Sequence, residues 1–100
     1  MSVGAPTSRG FAVDVDAEAV GLGLVVRRRK KGDRFQPLGM SGSKKLQDFF
    51  VDARIPSHER DNVPIFENER GIIWVGGLRI ADWARPQPGR PTVRLSFEYA

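Results

Sequence analysis

The sequence predicts an α+β fold, a mainly β mixed domain with five to six short strands, one amphipathic helix over residues 43–54 and a short second helix. Three features of the sequence support this prediction. Several short segments alternate apolar and polar residues, one segment repeats its apolar residues at helical spacing, and glycine and proline separate the segments. A chain of 100 residues has room for one domain with a modest core.

The first twenty residues are predicted to form a flexible N-terminal linker that can include a short strand over residues 11–15. The first ten are small, polar and rich in glycine and proline. The apolar residues that alternate in the strand are Phe11, Val13 and Val15. Residues 21–100 are predicted to form the single folded domain.

The second predicted strand spans residues 21–29 and ends in a basic run. Because successive side chains of a strand point to opposite faces, Arg27 and Arg29 share one face and Arg28 points to the core side. If nucleic acid binds along this strand, we expect Arg27 and Arg29 to contact it. The stem of Arg28 is expected to lie along the core while its charged end reaches water.

The amphipathic helix predicted over residues 43–54 has an unusual start. Its apolar stripe consists of Leu46, Phe49, Phe50 and Ala53, at the spacing i, i+3, i+4 and i+7. Ser43 is the expected N-cap, so Lys44 and Lys45 fall in the first turn, where the helix dipole disfavours each cation by about 0.3–1 kcal/mol. Since stability does not account for these lysines, the helix start and the glycine-rich approach predict an anion site, most simply for phosphate.

The rest of the chain contributes a short helix and the remaining strands. One or two helical turns are predicted over residues 56–62. A polar loop that contains glycine joins strands at 65–66 and 72–75 as a hairpin. An extended segment follows at 78–83, and after a proline-rich connector the alternating residues 93–99 form the last strand.

The net charge of +4 is unevenly distributed. Residues 27–45 contain eight basic residues and one acidic residue, whereas the rest of the chain contains eight basic and eleven acidic residues. A basic segment on a slightly acidic body is typical of a surface that binds a polyanion. The basic residues of this segment are Arg27, Arg28, Arg29, Lys30, Lys31, Arg34, Lys44 and Lys45.

The sequence offers no candidate for several common kinds of enzyme and metal site. It has no cysteine and a single histidine, His58, so neither a thiolate site nor a transition-metal site is predicted. No acidic pair lies in an apolar setting, which leaves general acid–base catalysis without candidates. The segment 39–45 does not have the residue order of a nucleotide phosphate loop. No apolar run approaches membrane-spanning length, and a cytoplasmic location fits the lack of cysteine.

An ordered set of short motifs between residues 22 and 83 resembles the C-terminal domain of bacterial tRNA(Ile)-lysidine synthetase. The set begins with the basic run at 26–31 and the Gly-Asp-Arg-Phe sequence at 32–35. Its other parts are Pro37-Leu38-Gly39, Ser43-Lys44-Lys45-Leu46, Ile55-Pro56, Arg60, Pro64 and the segment Ile72–Ile80. The order of the motifs is more specific than any one of them.

The resemblance implies that this chain is the tRNA-recognition part of a larger ATP-dependent ligase. Enzymes of that family join lysine to the wobble cytidine of a minor isoleucine tRNA, and the C-terminal domain is thought to hold the acceptor stem. ATP and magnesium belong to an N-terminal catalytic domain whose phosphate loop is absent from this sequence. The expectation is therefore no cofactor and no catalytic residue in this chain, with tRNA and the catalytic domain of the same protein as its partners.

Carried over by position, the resemblance assigns tRNA binding to six basic residues: Arg27, Arg29, Arg34, Lys44, Lys45 and Arg60. For Arg34 and Arg60 a second interpretation stays open, in which they make a structural ion pair or hydrogen bonds to loop carbonyls. For the basic face as a whole, the alternative function is a protein-interaction module that binds an acidic partner without nucleic acid.

Overall fold

The computed structural model describes residues 9–99, with side chains from Phe11 onward. The strands are β1 (Arg9–Asp16), β2 (Val25–Arg27), β3 (Arg34–Phe35), β4 (Lys44–Lys45), β5 (Ile65–Asn68), β6 (Gly71–Val75), β7 (Arg79–Ile80) and β8 (Thr92–Tyr99). The α-helices are α1 (Ala17–Val20) and α2 (Leu46–Asp52), and two 3₁₀ helices span Ser57–Asn62 and Asp82–Ala84. The predicted α+β fold, mainly of strands with few helices, is confirmed.

A central antiparallel sheet separates two hydrophobic clusters. Its strand order is β2–β5–β6–β7. The cluster on one face is built with β1, α1 and β8, and its buried residues are Val15, Val20, Phe66, Ile73, Trp74, Ile80, Ala81, Ala84 and Leu95. The cluster on the other face is built with β3 and α2, and its buried residues are Phe35, Leu46, Phe49, Phe50, Val63, Ile65, Ile72 and Val75. The fold therefore has three layers with the sheet in the middle.

The outer layer on the first face is a ribbon of β1 and β8. The two strands pair antiparallel over their full lengths, from Arg9 opposite Tyr99 to Asp16 opposite Thr92. The carboxylate of Asp16 accepts a hydrogen bond from Ala19 N at the start of α1 and two from the Arg90 guanidinium. Burial of an acidic side chain is tolerated here because both its oxygens have partners.

Over residues 9–20 the structure differs from the expected linker, while the short strand expected at 11–15 is present as part of β1. Residues 1–8 lie outside the described part of the chain, whereas 9–20 form β1 and α1. Val15 is fully buried and Val20 nearly so, which makes these elements part of the core. The pairing partner of β1 is about eighty residues away in sequence, and no local pattern reveals such a partner.

Helix α2 is shorter than the predicted span of 43–54, and the N-cap assignment to Ser43 is wrong. The N-cap is Lys45, which makes no side-chain capping bond. Lys44 and Lys45 are extended because they pair with β3, and Leu46 N donates to the carbonyl oxygen of Asp33. The predicted apolar stripe is correct at its three bulky positions, which are Leu46, Phe49 and Phe50.

Most of the remaining elements follow the sequence prediction in type, although their bounds differ. The predicted strand over 21–29 is reduced to β2, and the extended segment at 78–83 becomes β7 and a 3₁₀ helix. The hairpin of β5 and β6 and the final strand β8 are as expected. A register shift after Phe66 lets the adjacent residues Ile73 and Trp74 enter the same cluster.

We expect Gly76→Ala to destabilise the domain by roughly 1–3 kcal/mol, the usual cost of overpacking. A Cβ at this position would lie 2.6 Å from Pro64 Cγ, 2.8 Å from Phe97 Cε1 and 2.9 Å from the Pro64 carbonyl oxygen. Gly42→Ala is the matched control, since a Cβ there meets no atom within 4 Å and its φ is not positive. Urea denaturation measures both; equal midpoints for the two variants would contradict the prediction.

Candidate nucleic-acid interface

An open groove of about 680 Å³ lies between the β2–β3 loop and the start of α2. Its lining residues are Arg29, Lys30, Lys31, Gly32, Asp33, Arg34, Lys45, Leu46, Gln47 and Asp61. Five of these ten residues are basic and two are acidic, so the surface carries a net positive charge. We call it the basic groove. Its walls are one turn of chain on one side and the β3–β4 pair with the first turn of α2 on the other.

Arg27, a predicted tRNA contact, does not line the basic groove. Its guanidinium pairs with two carboxylates, that of Asp33 at 3.0 Å and that of Glu67 at 2.7 Å. Its side chain is 17% exposed, and hydrogen bonds to Glu67 and then to Asp33 raise its pKa further above the usual arginine value. Arg28, expected on the core side, is instead exposed, because β2 ends at Arg27.

Two further predicted contacts are also engaged with carboxylates. Arg29 lines the basic groove, and its Nε lies 2.7 Å from Oδ1 of Asp61. The hydrogen bond from Arg29 lowers the pKa of Asp61 below its usual value. Lys44 is ion-paired with Asp52 at the end of α2 and is absent from the groove lining. Asp61 lies thirty-two residues from Arg29, and Asp52 lies at the end of α2. The sequence of the basic run therefore does not reveal either ion pair.

Arg34 and Lys45 are directly opposite each other in the antiparallel β3–β4 pair. Both are exposed and line the basic groove. Arg34 Nε donates to the Ser43 hydroxyl at 3.2 Å, and neither residue has an ion pair within the described part of the chain. Like charges directly opposite in a sheet are destabilising. Two cations without ion-pair partners among the described residues therefore lie side by side, an arrangement that lowers the stability of the fold.

Lys30 and Lys31 complete the basic groove, and the sequence reasoning did not assign them to the site. Both are exposed, and among residues 9–99 neither has an ion-pair partner. The carbonyl oxygen of Lys30 accepts a hydrogen bond from Asp33 N, which forms a turn. The sequence did indicate them in one way, because they belong to its longest basic run. Which side of the turn their side chains occupy can be read only from the folded structure.

Arg60 is held by contacts outside the basic groove. Its Nε donates to the carbonyl oxygen of Ile55 at 2.9 Å, and its guanidinium carbon lies 5.9 Å from the centre of the Phe50 ring. These are contacts of the structural kind that the sequence left open for Arg60. They join the 3₁₀ helix Ser57–Asn62 to the end of α2.

The described residues offer little for other chemistry. No group of three or more His, Asp or Glu side chains in that part of the chain could hold a metal ion. His58 is exposed and lies 3.6 Å from the carboxylate of Glu59. Trp83 stacks with the Arg70 guanidinium, whose central carbon lies 4.4 Å from the ring centre. Within residues 9–99 there is no helix of the length and apolarity needed to cross a membrane.

Comparison with known proteins gives a family match to "TilS substrate C-terminal domain" over residues 24–97. The "Bifunctional protein TilS/HprT" of Listeria innocua is 47% identical over 72 residues, which are 71% of this chain and 11% of that protein. The "tRNA(Ile)-lysidine synthase" of Caldanaerobacter subterraneus is 49% identical over 59 residues, 59% of this chain and 13% of its relative. That of Bacillus subtilis is 46% identical over 76 residues, 74% of this chain and 16% of its relative.

A solved structure is similar in fold to most of this chain. It is described as "Crystal structure of TILS C-terminal domain" and superposes with a TM-score of 0.72 at 38% sequence identity. The match covers 90% of this chain and 70% of that one. By contrast, this chain spans between about a tenth and a sixth of the length of the curated relatives named above.

Proposed function

This chain belongs to the family of TilS substrate C-terminal domains, and on that premise we propose that it binds the acceptor stem of a minor isoleucine tRNA. The basic groove binds phosphates of the stem. The domain is part of an enzyme that ligates lysine to the wobble cytidine of that tRNA. The ATP and magnesium chemistry is done by another domain of the same protein, in the cytoplasm. This chain then contributes binding and orientation, and no catalytic group.

The observation that carries the proposal is the opposition of Arg34 and Lys45 across β3 and β4. Cations in this arrangement repel each other in the free protein, and a phosphate between them relieves the repulsion. Arginine and lysine both bind phosphate oxygens by charge-assisted hydrogen bonds. Lys30 and Lys31 line the same groove, so four cations that have no ion pair with a carboxylate among residues 9–99 converge on one polyanion.

The lining of the basic groove favours duplex RNA over single strands. Proteins that bind single strands stack the bases on aromatic side chains. Among the described residues that line the groove none is aromatic, and Leu46 is the one with an apolar side chain. Double-stranded RNA presents its phosphates on the outside and is recognised mostly through its backbone and shape. A stem therefore matches this surface better than a loop.

Titration of an acceptor-stem duplex across a salt series tests the function. If the four cations each neutralise one phosphate, we expect log Kd against log salt to have a slope of about 4 in magnitude. A single-stranded RNA of the same length should bind more weakly, and polyglutamate serves as the acidic-protein alternative. Stronger binding of polyglutamate than of the duplex, or a salt-independent Kd for the duplex, would contradict the proposal.

A further inference from the structure

We propose that Asp33, an acidic residue within a groove for phosphates, is a positioning residue that this groove needs for RNA binding. The inference rests on the proposed function, because it concerns how the same cations are held. Asp33 does not touch the phosphates in this proposal. It fixes the two walls of the basic groove relative to each other.

Asp33 closes the turn that carries Lys30 and Lys31. Lys30 N donates to Oδ2 of Asp33 at 2.6 Å, and Asp33 N donates to the carbonyl oxygen of Lys30 at 3.2 Å. These reciprocal bonds close the turn on which Lys30 and Lys31 stand. Gly32 occupies the left-handed region with φ of 87°, a conformation that other residues rarely adopt. The direction of both lysines therefore depends on Asp33.

The Asp33 side chain is held in place by Arg27. Arg27 donates from Nη1 to Oδ2 and from Nη2 to Oδ1, each at 3.0 Å. The same guanidinium donates to both carboxylate oxygens of Glu67, at 2.7 and 3.0 Å, and Glu67 lies on β5 of the central sheet. Bidentate pairs of this kind fix orientation as well as contributing energy. Asp33 is thus bound to the sheet through Arg27.

Asp33 is also bonded to the start of α2, on the other wall of the basic groove. The carbonyl oxygen of Asp33 accepts a hydrogen bond of 2.9 Å from Leu46 N. Leu46 is the first residue of α2 and directly follows Lys45. One residue therefore connects the lysine turn, the sheet and the strand that presents Lys45.

The charge of Asp33 makes the proposal testable, because charge and position predict opposite effects. The Asp33 side chain is 10% exposed. Burial raises its pKa, but hydrogen bonds from Arg27 and the Lys30 N–H outweigh burial and hold the pKa below the usual value. The carboxylate is therefore charged at neutral pH. On charge alone, its removal from a surface that binds a polyanion should tighten binding; as a positioning residue, its removal should weaken binding.

The matched control is Asp61, the other acidic residue in the lining of the basic groove. Its side chain is 64% exposed, and its one ion-pair partner among the described residues is Arg29. Asp61→Asn removes the same formal charge and releases Arg29. We expect this variant to bind the acceptor-stem duplex roughly two- to fivefold more tightly, as local electrostatics predict.

The experiment measures Kd for the duplex over a salt series with wild type, Asp33→Asn and Asp61→Asn, and a thermal melt confirms the fold of each. We expect Asp33→Asn to bind roughly tenfold more weakly and its salt slope to fall by about one, because Lys30 and Lys31 no longer engage together. A purely structural role would leave the slope of the folded protein unchanged. Tighter binding by folded Asp33→Asn, or an unchanged slope, would overturn the proposal.

A second variant covers the case in which Asp33→Asn does not fold. Gly32→Ala changes no charge, has open space for its Cβ, and strains the turn through its positive φ. We expect it also to weaken duplex binding, and wild-type affinity in this variant would overturn the proposal. If the wild type itself binds the duplex without salt dependence, the proposed function fails and the role of Asp33 fails with it, whereas a salt-dependent wild type with an unchanged slope in folded Asp33→Asn overturns the role of Asp33 alone.

Discussion

Replacing Lys45 with glutamate should reduce affinity for the acceptor-stem duplex about 100-fold or more while making the free domain more stable. Under the proposed function, the new carboxylate removes one phosphate contact and, directly opposite Arg34, engages a second cation in an ion pair. Two charge-assisted contacts together account for about 3 kcal/mol, which is about a factor of 100 in Kd. The cross-strand repulsion becomes an attraction of roughly 0.2–1 kcal/mol. A duplex titration and a thermal melt on the same sample measure both effects.

Lys44 provides the control for that experiment. It neighbours Lys45 in sequence but is paired with Asp52 and does not line the basic groove. Lys44→Gln and Lys45→Gln remove the same formal charge, and we expect the Lys45 variant to lose clearly more affinity. Equal losses would show that the RNA responds only to total charge, and that the arrangement of β3 and β4 is irrelevant to binding.

Phe50→Ala should destabilise the domain by roughly 3–5 kcal/mol, the usual cost of removing a buried phenylalanine. Phe50 is completely buried in the cluster between α2 and the central sheet. Its ring also lies next to Phe49 and beneath the Arg60 guanidinium. A small domain should lose roughly 12 °C or more in melting temperature from such a change.

The adjacent residue gives the matched control for the helix. Val51 is 55% exposed on the solvent side of α2, so Val51→Ala should change stability by less than about 0.5 kcal/mol. A loss below about 1 kcal/mol for Phe50→Ala would mean that the site collapses around the truncated side chain. A large loss for Val51→Ala would mean that the facing of α2 is wrong.

Local patterns predicted what depends on neighbours in sequence. The stripe of Leu46, Phe49 and Phe50 predicted the buried face of α2, and alternation predicted β8. The same spacing could not set the helix start, since Lys44 and Lys45 are drawn into a strand by their pairing with β3. A backbone bond from Leu46 to Asp33 fixes that boundary, and its acceptor lies thirteen residues earlier.

The candidate site was predicted as a segment and not as a set of residues. The charge count correctly indicated where cations accumulate, but it could not tell which of them have partners. Glu67 lies forty residues from Arg27, and Asp61 lies thirty-two residues from Arg29. Only the folded chain brings these carboxylates to the basic run, Glu67 from β5 and Asp61 from the 3₁₀ helix Ser57–Asn62. With Glu67 and Asp61 in place, Arg27 and Arg29, which the strand-face argument had named, are both ion-paired. The cations that have no ion pair among residues 9–99 are Lys30, Lys31, Arg34 and Lys45.

The ribbon of β1 and β8 has a mechanical consequence. It covers one face of the central sheet, while the β3–β4 pair and α2 stand on the other face. At its described end, however, the ribbon comes close to the basic groove, because Tyr99, the partner of Arg9, donates a hydrogen bond to the carbonyl oxygen of Asn62, which adjoins the groove residue Asp61. Packed interiors are stiff and transmit displacement with little loss. If the proposed function holds, a polypeptide joined through β1 and an RNA stem in the basic groove would turn together, because the packed domain between them is stiff.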